Sequence, residues 1–249
     1  MHEDDESVMG GRVSIPRLHT DAALAPGAEI ALTPAQAHHL GVLRRGPGDA
    51  LHAFNSRDGE WAAELTALRK DKGAFRLGER LRAPAAEPGP TLIVAALKRE
   101  PMDWLVEKAT ELGVSRIQPV ITRRTVASHA NTERLSAIAR AAAEQCERLS
   151  VPVVNDTLPL HAVVDAWRGG RILVAAERRE SDSIARLASG CEALLIGPEG
   201  GFMAAELDDL ARRPIVSLCR LGPRILRAET AAVAGLAALQ ALAGDWAGQ

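Results

Sequence analysis

Two glycine- and proline-rich stretches stand where this chain could hold a ligand as well as turn. The first, GPEGG (Gly197, Pro198, Glu199, Gly200, Gly201), follows the apolar run EALLI and leads into AAELDDLAR. The second, LGPRILRAETA (221–231), follows PIVSLC (214–219). A third loop, KREP (98–101), follows TLIVAAL (91–97). Glycine leaves a bare Cα, so another molecule can approach the main chain closely. A loop opening onto a helix N-terminus also presents unpaired N–H groups to negative charge. Taken singly, GPEGG reads equally as two joined turns. Together, two such loops can close on one flat or anionic ligand. The chain has no GxxxxGK[ST] and no GxGxxG after an early strand, which argues against P-loop phosphate capture and an ordinary dinucleotide crevice.

The elements that must position these loops fall into two textures. Up to residue 83, short runs such as ALHAF, EWAAELTAL and AFRLGERL alternate with the turn signals GPGD, NSRDG and KDKG. Strands of that length with turns so close predict a small β-barrel or β-meander over 14–83. APAAEPGP (83–90) has linker composition, so the two units are expected to join through 84–90. Beyond it, TLIVAAL, VSRIQPVIT, RILVAAE (171–177), EALLIG (192–197) and PIVSLC are continuous apolar runs, as strands buried on both faces require. Helical stretches intervene: one over MDWLVEKATEL with Pro101 at its first residue, one over 131–149, and one over 224–243. Alternating strands and helices predict an α/β unit over 91–249 with a mostly parallel sheet. Ligands in such sheets sit beyond the carboxyl ends of the strands, where all three loops fall.

Composition narrows the function classes. The chain has 249 residues, 47% hydrophobic and 25% charged, as expected of a soluble globular protein. No apolar run approaches the ~18 residues of a membrane span. Residues 1–13 carry four acids and one Arg and read as a disordered acidic tail, not a signal peptide. Cys146, Cys191 and Cys219 are scattered, which suits a reducing cytoplasm and neither a disulfide framework nor a metal site. The net charge of −2 gives no bulk electrostatic case for nucleic acid. Of the 30 basic residues 26 are Arg. Arg forks suit phosphates and bases, but the chain is equally rich in Ala, and compositional bias explains both.

IGPEGGF, LGPRILRAETA, KATELGV (108–114) and AAAEQCER (141–148), in this order, resemble the RsmE family of ribosomal RNA methyltransferases, of the SPOUT superfamily. HHLGVLRRGPGD (38–49) is similar to the VLR…GD signature of that family's PUA-like barrel. The resemblance implies a trefoil-knotted C-terminal α/β domain, a rare exception to unknotted folds. It also implies a homodimer, and S-adenosyl-L-methionine-dependent methylation of N3 of a uridine in 16S ribosomal RNA, within the small ribosomal subunit. On that resemblance the cofactor would lie against Ile196, Gly197, Pro198, Glu199, Gly200 and Gly201. Leu221, Gly222, Ile225, Leu226, Thr230 and Ala231 would face it, and Ala176 and Glu177 would form a third side. The chain departs from the family at Glu147, where a small residue is preferred, and at Pro101, where the loop often has Arg or Lys nearby.

Methylation at N3 needs an unpaired or flipped base, because N3 lies on the Watson–Crick edge. It also needs the N3 proton removed or the resulting anion stabilised. Arg227 and Thr230 are three apart on the expected last helix, with Glu229 beside them. Arg227 would stabilise the uracil anion or bind the adjacent phosphate; Glu229 would accept the proton or orient Arg227. Equally, Glu229 could simply pair with Arg227 or Arg224 in a first helical turn. RNA contacts are expected from Arg17, Arg44 and Arg45 in the barrel and from Lys98, Lys108, Arg124, Gln145 and Arg148 beyond it. Glu144 and Arg148 read equally as an i,i+4 surface pair. The small-residue-rich last helix suits either full burial or a second copy. The competing readings are a superfamily methyltransferase acting on another RNA base, a non-catalytic RNA-binding adaptor and, disfavoured by the missing phosphate motif, an adenine-nucleotide enzyme.

Overall fold

The computed structural model describes residues 15–177 and 179–248, so the acidic tail lies outside the described residues. The chain divides after Pro84 into two compact units.

The first unit contains β1 (Arg17–His19), β2 (Glu29–Ala31), α1 (Pro34–Val42), β3 (Ala50–Asn55), β4 (Gly59–Arg69) and β5 (Lys72–Arg82). One sheet runs β1-β3-β4-β5-β2. The pair β1–β3 is parallel and the other pairs are antiparallel. Phe54, Phe75, Leu18, Leu40, Leu51 and Leu65 are fully buried here. The helix α1 stands where strands and turns alone were expected. Its start is written in TPAQ: Thr33 and Gln36 form a reciprocal capping box and Pro34 occupies the first turn. Its end is a Schellman motif. Arg45 N–H donates to the Leu40 carbonyl and Arg44 N–H to that of Gly41, with Arg44 itself left-handed at φ 56°.

The second unit contains, in order, β6 (Thr91–Ala95), α2 (Arg99–Glu111), β7 (Arg116–Ile121), α3 (Thr132–Gln145), β8 (Val153–Val154), β9 (Leu158–Pro159), α4 (Leu160–Ala166) and β10 (Arg171–Ala175). It continues with β11 (Asp182–Ser183), α5 (Ile184–Leu187), β12 (Cys191–Ile196), α6 (Ala204–Ala211), β13 (Val216–Arg220) and α7 (Ala228–Ala243). The sheet order is β11-β13-β10-β12-β6-β7-β8, with β9 also beside β7. Every pairing in it is parallel. One face packs on α2, α3 and α7 through Leu105, Leu135, Ala232 and Leu236. The other packs on α4 and α6 through Leu160, Val164, Leu207 and Leu210. Burial on both faces is why the central strands read as unbroken apolar runs.

Three boundaries differ from the sequence expectation. The last helix begins at Ala228, not at 224. Arg227 is its N-cap in extended conformation (φ −65°, ψ 156°), so Arg227 and Thr230 do not share a helical face. The helix expected over 131–149 stops at Gln145, because Glu147 turns left-handed at φ 63°. Pro101 is the third helical residue of α2 rather than the first.

Candidate active site

Three strand ends converge on one cavity of about 480 Å³. At the end of β10 come Ala175, Ala176 and Glu177; at the end of β12, the run from Ile196 through GPEGG to Phe202; after β13, Ile225 to Glu229 with Ala231. The GPEGG segment is a tight turn in which Gly201 N–H donates to the Pro198 carbonyl at 2.7 Å. Gly201 is left-handed at φ 67°, a conformation that an L side chain adopts only at a cost of about 1–2 kcal/mol. The loop ends on α6, whose first turn is closed by Met203 N–H donating to Glu206 Oε2 at 2.9 Å.

Chemically the cavity is two-sided. Its walls offer apolar area from Ile196, Leu207, Ile225 and Leu226, together with the loop glycines, of which Gly201 is open. Its polar groups are Glu177, Glu199, Arg227 and Glu229. Among the described residues neither the Arg227 nor the Glu229 side chain has a hydrogen-bond or ion-pair partner. The alternative in which Glu229 pairs with Arg227 or Arg224 is therefore not what the structure holds.

The sequence-predicted cofactor residues Ala176, Glu177, Ile196, Gly197, Pro198, Glu199, Gly200, Gly201, Ile225, Leu226 and Ala231 all line this cavity. Leu221, Gly222 and Thr230 do not. Leu221 packs toward the hydrophobic core, Gly222 turns the chain at φ 140°, and Thr230 is exposed beside the extended Arg227. Pro101, Phe202, Leu207 and Ala228 complete the wall. No chemical signal marked them, because each is an apolar residue whose place depends on packing.

The expected RNA contacts have differing surroundings within each unit. Arg17 lies inside the first unit: Nε donates to Glu60 Oε1 at 2.7 Å and the guanidinium sits 4.1 Å over the Phe54 ring. Arg148 is buried in the second unit, donating to the Thr110 carbonyl at 2.7 Å and to Ser150 Oγ at 2.9 Å. Both guanidinium groups are thus engaged in packing rather than displayed. Arg148 lies beyond the end of α3 and its Nε is 3.7 Å from Glu87 Oε2. Lys108 bridges Glu107 and Glu111, whose hydrogen bonds push its ammonium up to about 12. Arg44, Lys98, Arg124 and Gln145 are exposed, and Arg45 is half-buried. Arg124 reaches back to the glycine loop, donating from Nη1 to the Gly200 carbonyl at 2.9 Å. Arg220, at the end of β13, and Arg224, on the loop leading to the cavity, are exposed and were not expected as RNA contacts from sequence.

An all-parallel sheet whose glycine loops close one pocket at the strand ends, following a small β unit, is the arrangement of an RNA methyltransferase. An RNA methyltransferase domain model matches residues 87–240, and an RNA methyltransferase PUA domain model matches 32–77. The chain belongs to the ribosomal RNA small subunit methyltransferase E (RsmE) family. The relative from Rickettsia conorii is 33% identical over 234 residues, covering 91% of this chain and 95% of that protein. The one from Bacillus subtilis is 30% identical over 84% of this chain and 89% of its own length. A crystal structure of ribosomal RNA small subunit methyltransferase E from Neisseria gonorrhoeae, bound to S-adenosyl methionine, superposes with a TM-score of 0.84. It is 30% identical and covers 94% of this chain and 100% of that one. A methyltransferase from Legionella pneumophila, also with bound S-adenosyl methionine, gives a TM-score of 0.83 at 28% identity, covering 92% and 98%.

Proposed function

We propose that the protein methylates N3 of a uridine in 16S ribosomal RNA, using S-adenosylmethionine held in the glycine-loop cavity. The observation that carries this reading is the convergence of GPEGG and the Ile225–Ala231 segment on one cavity with Arg227 and Glu229 in its wall. Two relatives of the same architecture bind this cofactor. The residues present fit it: open backbone at Gly201 for a flat ring to approach, apolar side chains around it, and carboxylates able to accept hydrogen bonds. When bound, the cofactor supplies an electrophilic methyl group on a sulfonium, so no metal is needed for activation.

The chain's own residues then have three tasks. Walls on three sides fix the donor, and alignment of that kind contributes roughly 7–11 kcal/mol to rate in well-oriented systems. Arg227, unpaired at the N-cap of α7, stabilises the negative charge that develops on the uracil as N3–H ionises. The Glu229 carboxylate accepts the N3 proton or orients Arg227. The first unit, with its PUA-type match, grips the RNA. Exposed Arg44 and half-buried Arg45 in the first unit, and exposed Lys98 and Gln145 in the second, remain the phosphate and base contacts in this reading. The small-subunit RNA is the substrate and the cytoplasm the compartment. Among the described residues no helix is long and apolar enough to cross a membrane.

Two finer features belong to the same reading. The C-terminal segment is threaded as a trefoil knot, which the placement of β10 between β12 and β13 supports. Two copies form the working unit, supported by the exposure of Trp104 on α2, at 43%, and of Ile225, at 71%. Calorimetric titration with S-adenosylmethionine, with ATP in parallel, tests the cavity. Methylation of 16S RNA lacking the modification, with the product mapped to the base and ring nitrogen, tests the chemistry. Saturable binding of S-adenosylmethionine alone and a single N3-methyluridine are expected. RNA binding without cofactor binding would favour the adaptor.

A further inference from the structure

The loop between β7 and α3 carries a device that the methyl-transfer reading leaves unassigned. Thr122 and Thr125 close a turn there: Thr125 Oγ1 accepts from Thr122 N–H at 2.9 Å, and the two hydroxyls lie 2.9 Å apart. The turn displays Arg123 and Arg124 toward the cofactor loop. Arg123 N–H donates to Glu206 Oε1 at 2.8 Å, the same carboxylate that caps α6. Arg124 Nη1 donates to the Gly200 carbonyl at 2.9 Å, and its Nε lies 3.0 Å from Met203 Sδ. The stem of Arg124 also covers Gly200, since a methyl group placed there would sit 3.5 Å from Arg124 Cβ and Cδ.

The carbonyl of Gly200 and the N–H of Gly201 belong to one peptide unit. Arg124 holds its oxygen, and the Pro198 carbonyl holds its N–H at 2.7 Å. A peptide flanked by two glycines rotates at little cost, since glycine occupies both signs of φ. Pinned at both ends, it cannot rotate without breaking two hydrogen bonds. From this geometry we infer that Arg124 is a positioning residue that fixes the Gly200–Gly201 peptide and so pre-forms the cofactor wall. It acts through the loop rather than by gripping an RNA phosphate. The inference rests on the reading of the cavity as the S-adenosylmethionine site.

The two roles for Arg124 separate cleanly. Arg124→Met keeps the stem and removes the donors; Arg124→Lys restores one donor. The full chain is titrated with S-adenosylmethionine, and 16S ribosomal RNA transcribed in vitro is bound across a salt series. R124M is expected to bind the cofactor roughly tenfold more weakly, as loss of one charge-assisted hydrogen bond implies. Its KM for the cofactor rises while kcat at saturation holds, and R124K recovers part of the loss. RNA affinity and its salt dependence stay as in the wild type. A role as phosphate contact would instead reduce the slope of log K against log salt by about 0.7 and leave cofactor affinity unchanged, overturning the inference. Unfolding temperature checks that both variants are folded. Wild-type protein that binds no S-adenosylmethionine would overturn the reading of the cavity and the inference with it. Wild-type binding that R124M matches would overturn the inference alone.

Discussion

Glu147 offers the sharpest test of how this backbone is held. It follows the C-cap residue of α3, Cys146, and is left-handed at φ 63°. An L residue costs about 1–2 kcal/mol in that conformation. Glycine escapes the cost but loses roughly 0.5–1 kcal/mol more backbone entropy on folding. The informative comparison is Glu147→Gly against Glu147→Ala, because both remove the side chain and only one can relax the backbone. The difference between the two penalties leaves the glycine variant about 0.5–1 kcal/mol more stable than the alanine variant. For a unit of this size that corresponds to about 1–4 °C in unfolding temperature. Scanning calorimetry, following the transition of the second unit, reads it directly. A glycine variant that melts at or below the alanine variant would refute the strain argument.

Other expectations concern chemistry and charge. Arg227→Ala should abolish methyl transfer while leaving S-adenosylmethionine affinity nearly intact by calorimetry; loss of cofactor binding in a folded variant would mean that Arg227 serves the cofactor instead. Cys219 should resist alkylation in the native protein at about pH 8. Its burial, together with the negative potential of Cys191 and Glu177, pushes the thiol up to about 12, and mass analysis showing label on Cys219 would contradict this. Glu87 is held below its ordinary value. Burial alone would raise it, but hydrogen bonds from Ser150 Oγ and from the Leu149 and Ser150 N–H groups, with the Arg148 charge, outweigh burial. A carboxylate depressed on folding stabilises above its unfolded value, near 4.5, and loses that contribution as pH falls through the folded value. Glu87→Gln should therefore melt lower than the wild type at neutral pH, with the gap closing below about pH 4; a gap independent of pH would contradict the assignment.

What the sequence made legible follows the physics of each signal. Buried parallel strands announce themselves as apolar runs, and β6, β7, β10, β12 and β13 each lie within or against a run read that way. The glycine loops were visible because glycine and proline in such density have few other uses. The short elements were not visible. Strands of two residues such as β8, β9 and β11, and the four-residue α5, lie below the length at which periodicity accumulates. The helix α1 was missed despite a capping box, because its apolar face is short and HHLGV suits a strand as well. Arginine roles were the least legible. Whether Arg17 or Arg148 meets solvent or a carboxylate depends on partners 43 and 61 residues distant in sequence. Local pattern carries no information at that range.

The order in which the cavity walls occur along the chain has a consequence for synthesis. GPEGG becomes available once β12 is made, but the facing wall is Ile225–Ala231, and the helix after it seats against β12 through Gly235 and Leu194. Chains emerge from the ribosome N-terminus first. A nascent protein halted anywhere before its last helix therefore carries GPEGG without the cavity it helps to form. The PUA-type unit, by contrast, is complete after the first third of translation. Newly made molecules thus acquire their RNA-binding module early and their capacity for methyl transfer only at the very end.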